Sequence, residues 1–225
     1  MDIVEAYPET ALAISLDVCS QDNIKNAVKE AYDKFGTIDV LVNNAGYGYR
    51  SAVEEGEIEA VQTLYQTNLF GPIELIKAVL SKMREQKSGV IINVSSSITT
   101  KAMPLIGLYR ASKAALNAWS ESLALEVRPF GIRVHVVLPG RSPETKFGEN
   151  ARAYFGGRDD LAYGNMVDEF IRMAGDAGSP VTHAADVANA IFAVARDKNT
   201  PLYTAAGEDA LQFLTEAQQH SPFAC

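Results

Sequence analysis

The sequence contains little cysteine, no long apolar run, and fewer basic than acidic residues. Its two cysteines, Cys19 and Cys225, cannot form a disulfide framework, which is typical of proteins from a reducing compartment. Lys and Arg number 20 against 28 Asp and Glu, and the net charge is −8. This balance argues against a nucleic-acid-binding surface, because phosphate contacts need a basic face. No apolar run approaches the roughly 20 residues that cross a bilayer, so no membrane segment is predicted.

Signals for export and for metal binding are also missing from the sequence. The N-terminus carries no basic stretch followed by an apolar one, as a signal peptide would. The three histidines and two cysteines have no metal-ligand spacing, so no metal site is predicted. We therefore predict a cytoplasmic protein without a metal.

The composition is that of a folded protein. Hydrophobic residues make up 47% of the chain and charged residues 21%, values typical of globular domains. A chain of 225 residues buries a substantial core without disulfides. At about 150 residues per domain, this length favours a single domain over residues 1–225.

Short apolar runs alternate with longer amphipathic stretches along the chain. The runs predicted as strands are residues 12–18, 38–42, 90–94, 133–138 and 202–205. The stretches predicted as helices are residues 23–35, 58–70, 72–86, 108–127 and 186–196, with Gly71 and Pro72 as an interruption. Alternating helices and buried strands predict an α/β protein with a mostly parallel sheet and helices on both faces.

Residues 141–180 are rich in Gly, Asp and Arg and are predicted to be irregular. Six apolar side chains within them admit two interpretations. They either wall a substrate pocket or pack against the core, and packing is the commoner use of such residues. They are Tyr154, Phe155, Tyr163, Met166, Phe170 and Met173.

Tyr109 and Lys113 are the first residues to indicate chemistry. They lie four apart on a predicted helix and so share one face. An ammonium beside a phenol favours the phenolate, which predicts a pKa for Tyr109 below its usual value of about 10. Such a tyrosine exchanges a proton with an alcohol or a carbonyl near neutral pH. The alternative is a surface lysine packed over a tyrosine.

Ser96 follows the buried strand 90–94 and precedes Tyr109 by thirteen residues. Ligands bind at the carboxyl ends of the strands in open α/β sheets, so its hydroxyl is placed to donate to a substrate oxygen. The alternative is an ordinary turn or N-cap serine, and Ser95 and Ser97 compete for the same role.

Two asparagine positions complete the set of candidates. Residues 43–46, with the sequence NNAG, follow another buried strand, and their small side chains let a ligand approach the backbone. A plain turn is the alternative. Asn68 lies in a predicted helix, where asparagine has poor propensity. It is either a helix-end cap or a functional residue that holds a water.

These motifs, taken in order, resemble those of the short-chain dehydrogenase/reductase family over nearly the whole chain. They are NNAG at 43–46, Asn68, Ser96, Tyr109 with Lys113, and Pro139 with Gly140. The resemblance implies an α/β fold with a three-layer, Rossmann-like, doubly wound parallel sheet. It also implies an NAD(P)-dependent oxidoreductase that interconverts a secondary alcohol and a ketone or aldehyde by hydride transfer.

The resemblance implies a role for each matching residue. Tyr109 would be the general acid/base, and Lys113 would lower its pKa and hydrogen-bond the nicotinamide ribose. Ser96 would polarise the substrate carbonyl, and Asn68 would hold a water in a proton relay ending at Lys113. The other residues implied in cofactor binding are Asp17 and Val18 at the adenine, Asn44, Ala45 and Gly46 at its ribose, and Pro139 and Gly140 at the nicotinamide.

One family element is missing, the Gly-rich turn that cradles the cofactor pyrophosphate. The 16 glycines include no G-x-x-x-G-x-G, so the predicted fold lacks the first βαβ elements. Strand 12–18 would lose its partner and strand 38–42 would have an exposed edge. The chain is then a fragment of a longer enzyme, a truncated inactive relative, or a protein that re-pairs its edges and keeps activity. The choice between NAD and NADP is not readable.

The alternative function is that of a catalytically inactive relative that acts through binding or oligomerisation. Helices 58–86 and 108–127 correspond to the usual oligomer faces of similar proteins, so a homodimer or homotetramer is expected in either case. The expected partner is a small-molecule alcohol or carbonyl substrate, not a nucleic acid or a membrane. An unrelated α/β binding protein is the remaining alternative.

Overall fold

A computed structural model describes residues 3–152, 162–175 and 178–219. Four strands in these ranges form one parallel sheet in the order β1-β2-β3-β4. They are β1 (Val40–Asn43), β2 (Gly89–Val94), β3 (Ile132–Pro139) and β4 (Tyr203–Ala206). The predicted parallel α/β architecture is confirmed.

Helices connect and flank these strands. The α-helices are α1 (Ile3–Ala6), α2 (Gln21–Phe35), α3 (Ile58–Tyr65), α4 (Gly71–Gln86), α5 (Gly107–Val127), α6 (Phe147–Arg152), α7 (Gly164–Ala174), α8 (Ala184–Arg196) and α9 (Glu208–Gln219). Short 3₁₀ turns cover Val53–Glu55, Ser97–Thr100 and Arg128–Phe130, and a π turn covers Gln66–Phe70. Within the described ranges, no helix is both long and apolar enough to cross a bilayer.

The core lies on both faces of the sheet, because successive residues of β2 point in opposite directions. Ile91 faces α4 and α5, where it packs in a cluster with Ile76 and Leu123. Its neighbours along the strand, Val90 and Ile92, belong to the opposite cluster, which contains Val194 of α8. The protein therefore has the predicted three layers, helix, sheet and helix.

β1 is the edge strand of the described sheet. It pairs with β2 alone, and Val40 and Val42 are 40% and 37% exposed. By contrast, every residue of β2 is buried. The predicted exposed edge is therefore confirmed.

Local capping explains where several helices begin and end. The Ser20 hydroxyl accepts a hydrogen bond from the N–H of Asn23 at the start of α2. Gly36 ends α2 in the left-handed conformation, with φ of 77°. Arg133 of β3 donates to the carbonyls of Val194 and Ala195 and so caps the end of α8.

The predicted strand at residues 12–18 is wrong, because this segment has no regular structure. No strand of the described ranges pairs with it. An extended segment without a neighbour has no ladder to join. Only its last residue, Val18, is buried, among Ile24 and Leu75.

The predicted break at Gly71 and Pro72 is also wrong. The π turn joins α3 to α4 without a gap, and the N–H of Gly71 donates to the carbonyl of Gln66. Pro72 lies in the first turn of α4, where its missing N–H is tolerated. Within 141–180, α6 and α7 replace the irregular structure that was predicted, and α9 was not predicted at all.

Candidate active site

The parallel strands bring the predicted site residues to one edge of the sheet. Asn43 ends β1, Val94 ends β2 and Pro139 ends β3. The carboxyl ends of parallel strands lie on the same side, where α/β folds bind ligands. The segments that follow these three strands therefore converge, as the sequence predicts.

Tyr109 and Lys113 face this edge from α5, and both are buried, at 8% and 4% exposure. The Lys113 ammonium donates a hydrogen bond to the carbonyl of Val94, with 2.9 Å between Nζ and O. This bond ties α5 to the end of β2. The interpretation of the pair as a surface lysine over a tyrosine is therefore wrong.

Ser96 is the serine that acts on Tyr109, because its hydroxyl favours the phenolate and so lowers the pKa of Tyr109. The same hydroxyl accepts a hydrogen bond from the N–H of Ile98 at 3.3 Å. Ser96 also caps the 3₁₀ turn that begins at Ser97, so its N-cap and site positions coincide. Ser95 instead directs its hydroxyl to the carbonyl of Lys113, at 3.4 Å.

Asn68 lies in the π turn and is completely buried. Its Oδ1 accepts from the N–H of Tyr47 at 3.2 Å, and its Nδ2 donates to the carbonyl of Tyr47 at 3.0 Å. Nδ2 also lies 3.2 Å from the hydroxyl of Ser112. Because the helix continues past it, Asn68 is not a helix-end cap. It fastens the segment after β1 to the α3–α4 helix.

Pro72 changes the hydrogen bonding of the Asn68 backbone. In an α-helix the Asn68 carbonyl would accept from residue 72, but Pro72 has no N–H to donate. π turns are also frequent at functional sites. Both features make Asn68 a candidate for a functional role.

Gly46 occupies the space between Asn68 and Lys113. A Cβ atom on Gly46 would lie 3.0 Å from Asn68 Oδ1 and 3.2 Å from Lys113 Nζ. A side chain would crowd both groups, so glycine at this position keeps the backbone close to the ammonium. Gly46, Asn68 and Lys113 therefore form one cluster, and Lys113 lies one helical turn after Tyr109 on α5.

Burial controls the pKa values of the site. It raises the pKa of Tyr109 to about 12, against the opposing effects of the Ser96 hydrogen bond and the Arg50 charge. It lowers the pKa of Lys113 to about 8. The prediction that Lys113 lowers the pKa of Tyr109 is therefore wrong, because burial raises it.

The residues predicted at the adenine end belong to a segment beside the π turn of Asn68. Asp17 is exposed and accepts a hydrogen bond from the N–H of Cys19 at 2.9 Å. Cys19 in turn lies 3.3 Å, Sγ to Oγ1, from Thr67, the neighbour of Asn68 along the chain. Val18 is buried against α2 and α4. The structure thus brings this segment to the π turn.

Three residues that the sequence analysis did not indicate also border the site. Arg50 acts electrostatically on Tyr109, and its guanidinium lies 5.6 Å from the ring centroid of Phe170. Thr182 and Asp209 contact the backbone after β3. Both are more than forty residues from Gly140 in the sequence, so no local pattern reveals them.

The structure supports core packing for two of the six apolar side chains of residues 141–180. Tyr163 and Phe170 pack against the buried cluster of Ala52, Leu105 and Val167, which favours core packing for them. Met166 and Met173 are exposed, at 41% and 51%. Tyr154 and Phe155 lie outside the described residues. No group of His, Cys, Asp or Glu within the described ranges is arranged to hold a metal ion.

Comparison with known proteins identifies the family. The sequence model of the short chain dehydrogenase family matches residues 2–153. Oxidoreductase BOA17 of Botryotinia fuckeliana is 33% identical over 211 residues, which cover 94% of this chain and 76% of that protein. The chain spans as little as 43% of the length of other curated relatives that it matches.

Solved structures of similar proteins agree with this result. A short-chain dehydrogenase from Streptomyces avermitilis has a TM-score of 0.85 and 38% identity, covering 97% of this chain and 78% of that one. An NAD⁺-bound xylitol dehydrogenase has a TM-score of 0.70 and 25% identity, covering 85% and 76%. The chain belongs to the short-chain dehydrogenase family.

Proposed function

We propose that the protein is an NAD(P)-dependent oxidoreductase that interconverts a secondary alcohol and a ketone or aldehyde, with Tyr109 as the acid/base. The observation that carries the proposal is the burial of Tyr109 at the carboxyl end of β2, where Ser96 acts on its phenol to favour the ionised form. Lys113, bonded to Val94, completes the cluster. Two hydroxyls and an ammonium at one strand end suit a reaction that moves a proton on and off an oxygen.

In the reducing direction, the Tyr109 phenol donates its proton to the carbonyl oxygen of the substrate. Because its pKa is about 12, the phenol is protonated at neutral pH and carries the proton that it donates. The Ser96 hydroxyl donates a hydrogen bond to the same oxygen and so stabilises the charge that develops there. A nicotinamide cofactor, when bound, would supply the hydride in this direction and would accept it in the other.

In the oxidising direction, Tyr109 takes the proton of the alcohol and must first be ionised. Ser96 and Arg50 favour the phenolate, against the burial that disfavours it. Lys113 and Asn68 lie beside Gly46, where a water would link them in the proposed proton relay. Asn68 would hold that water through its backbone carbonyl, which lacks its ordinary helical donor.

The cluster fits the nicotinamide-ribose half of NAD or NADP. Lys113 would hydrogen-bond the ribose, and the absence of a side chain at Gly46 leaves the backbone open to it. Pro139 and Gly140 would flank the nicotinamide, and Asn44 and Ala45 the adenine ribose. Asp17 and Val18 would contact the adenine. One solved relative is bound to NAD⁺, and no preference between the two cofactors is proposed.

The pyrophosphate has no corresponding motif, since the sequence lacks the Gly-rich turn of the family. The exposed edge of β1, which is able to pair with another chain, supports a second candidate function. In it, the chain is an inactive relative that acts by binding or by oligomerisation. A homodimer or homotetramer in the cytoplasm fits either proposal.

Substitution of Tyr109 by Phe tests the main proposal. With a panel of ketones and aldehydes, Tyr109→Phe is expected to reduce NAD(P)H oxidation by roughly 10²- to 10⁴-fold, the usual contribution of a general acid. Tyr203→Phe is the matched control, because the Tyr203 phenol hydrogen-bonds Glu121 and not the proposed site. Undiminished turnover by Tyr109→Phe would contradict the assignment. Cofactor binding without turnover by the wild-type chain would favour the second candidate.

A further inference from the structure

The backbone that follows β3 is held by two residues from distant parts of the chain. Gly140 donates its N–H to the hydroxyl of Thr182 at 3.0 Å. Arg141 donates its N–H to Oδ2 of Asp209 at 2.6 Å. The carbonyl of Arg141 accepts from the N–H of Thr182 at 2.8 Å. Each of the three peptide groups after Pro139 therefore makes a hydrogen bond to Thr182 or Asp209.

Thr182 and Asp209 are themselves linked. The Thr182 hydroxyl lies 2.6 Å from Asp209 Oδ1 and 2.8 Å from the carbonyl oxygen of Ala206, and it donates its one proton to either. Thr182 is completely buried. A hydroxyl that accepts from Gly140 and donates to Asp209 connects the two anchors into one network.

The carboxylate of Asp209 fills the space where Gly140 has no side chain. A Cβ atom on Gly140 would lie 2.2 Å from both carboxylate oxygens. Asp209 is in the first turn of α9, which favours a negative charge. Position 140 thus has room for the carboxylate or for a side chain, but not for both.

We propose that Asp209, acting through Thr182 and directly on Arg141, is the positioning residue that holds the Pro139–Gly140 backbone against the nicotinamide end of the cofactor. This inference rests on the proposed function. The carboxylate touches no reacting atom, so its effect is on cofactor placement. Because the network holds the segment after β3, we expect it to act on the nicotinamide end of the cofactor and not on the adenine end.

A cofactor fragment separates this role from a general effect on folding. ADP-ribose lacks the nicotinamide, so it reports on the rest of the cofactor site. We expect Asp209→Ala to weaken NADH binding about tenfold or more, as the loss of a charged hydrogen bond does. ADP-ribose binding should change less than about twofold. NADPH and 2′-phospho-ADP-ribose form the corresponding pair for the other cofactor.

Matched variants complete the experiment. Glu208→Gln removes a charge from the same helical turn at an exposed neighbour of Asp209 and should leave both affinities unchanged. Thr182→Val removes the hydroxyl at nearly constant volume and should weaken NADH binding as Asp209→Ala does. Thr182→Ser keeps the hydroxyl and should bind NADH like the wild type. This second pair also decides the matter if Asp209→Ala does not fold.

The outcomes are distinct. Equal weakening of NADH and ADP-ribose, or none, would overturn the positioning role while leaving the proposed function intact. Absence of NADH and NADPH binding by the wild-type protein would overturn the proposed function and the inference with it.

Discussion

Lys113 donates a hydrogen bond to the carbonyl of Val94, with 2.9 Å between Nζ and O, and so joins the helix of Tyr109 to the strand that precedes Ser96. This contact holds α5 against the end of β2. The ammonium is buried at this position, and burial lowers the pKa of Lys113 to about 8.

The lowered pKa of Lys113 predicts a dependence of stability on pH. Folded Lys113 binds fewer protons than unfolded lysine between the folded pKa of about 8 and the ordinary value of 10.5. The contribution of Lys113 to the free energy of unfolding is thus unfavourable below pH 8 and becomes less so as pH rises toward 10.5.

We expect wild type to gain roughly 1 kcal/mol relative to Lys113→Met between pH 7 and pH 9. Urea unfolding of both proteins at several pH values measures the difference. A constant difference across this range would contradict the burial of a titrating ammonium.

Asn68 is predicted to stabilise the segment after β1. Replacing it by Ala removes the hydrogen bonds that its side chain makes to the N–H and the carbonyl of Tyr47, at 3.2 and 3.0 Å. Each lost hydrogen bond costs about 0.5–1.5 kcal/mol, so Asn68→Ala should lower the free energy of unfolding by about 2 kcal/mol. The exposed Asn199→Ala is the control. Equal urea midpoints for the two variants would show that the Tyr47 contacts contribute nothing.

The exposed edge of β1 predicts self-association. An apolar edge strand offers unpaired backbone groups to another chain, and lysine on such a strand discourages pairing. Val42→Lys should therefore shift the protein toward smaller species in sedimentation velocity. Val53→Lys adds the same charge at a side chain that is 76% exposed and lies outside the sheet. If both variants have the same size distribution, the protein does not self-associate through the edge of β1.

Much of the fold was predictable because it depends on local patterns. The buried run at β2 and the helical spacing of α5 indicated their elements to within a residue or two. The strand predicted at residues 12–18 was wrong, because a strand-like sequence forms a strand only beside another strand with which it can pair. The π turn also escaped prediction, since Gly71 and Pro72 look like an interruption whether or not the helix continues.

The candidate site was predictable where its residues follow strand ends or share a helix face. Ser96, Tyr109 and Lys113 belong to this group, and the structure brings them together. The pKa of Tyr109 was predicted in the wrong direction, because the depth of burial of a side chain is not readable from its neighbours in sequence. Thr182 and Asp209 were missed for a different reason, since their contacts with Gly140 and Arg141 join distant segments.

Titration of the purified protein with NADH and with NADPH, followed by fluorescence, tests the central claim most directly. The proposed function predicts saturable binding of at least one of the two cofactors, although the sequence lacks the Gly-rich turn. It also predicts that Lys113→Met weakens this binding, because Lys113 would hydrogen-bond the nicotinamide ribose. A folded protein that binds neither cofactor would contradict the claim, and its cluster of Ser96, Tyr109 and Lys113 would then serve no redox chemistry.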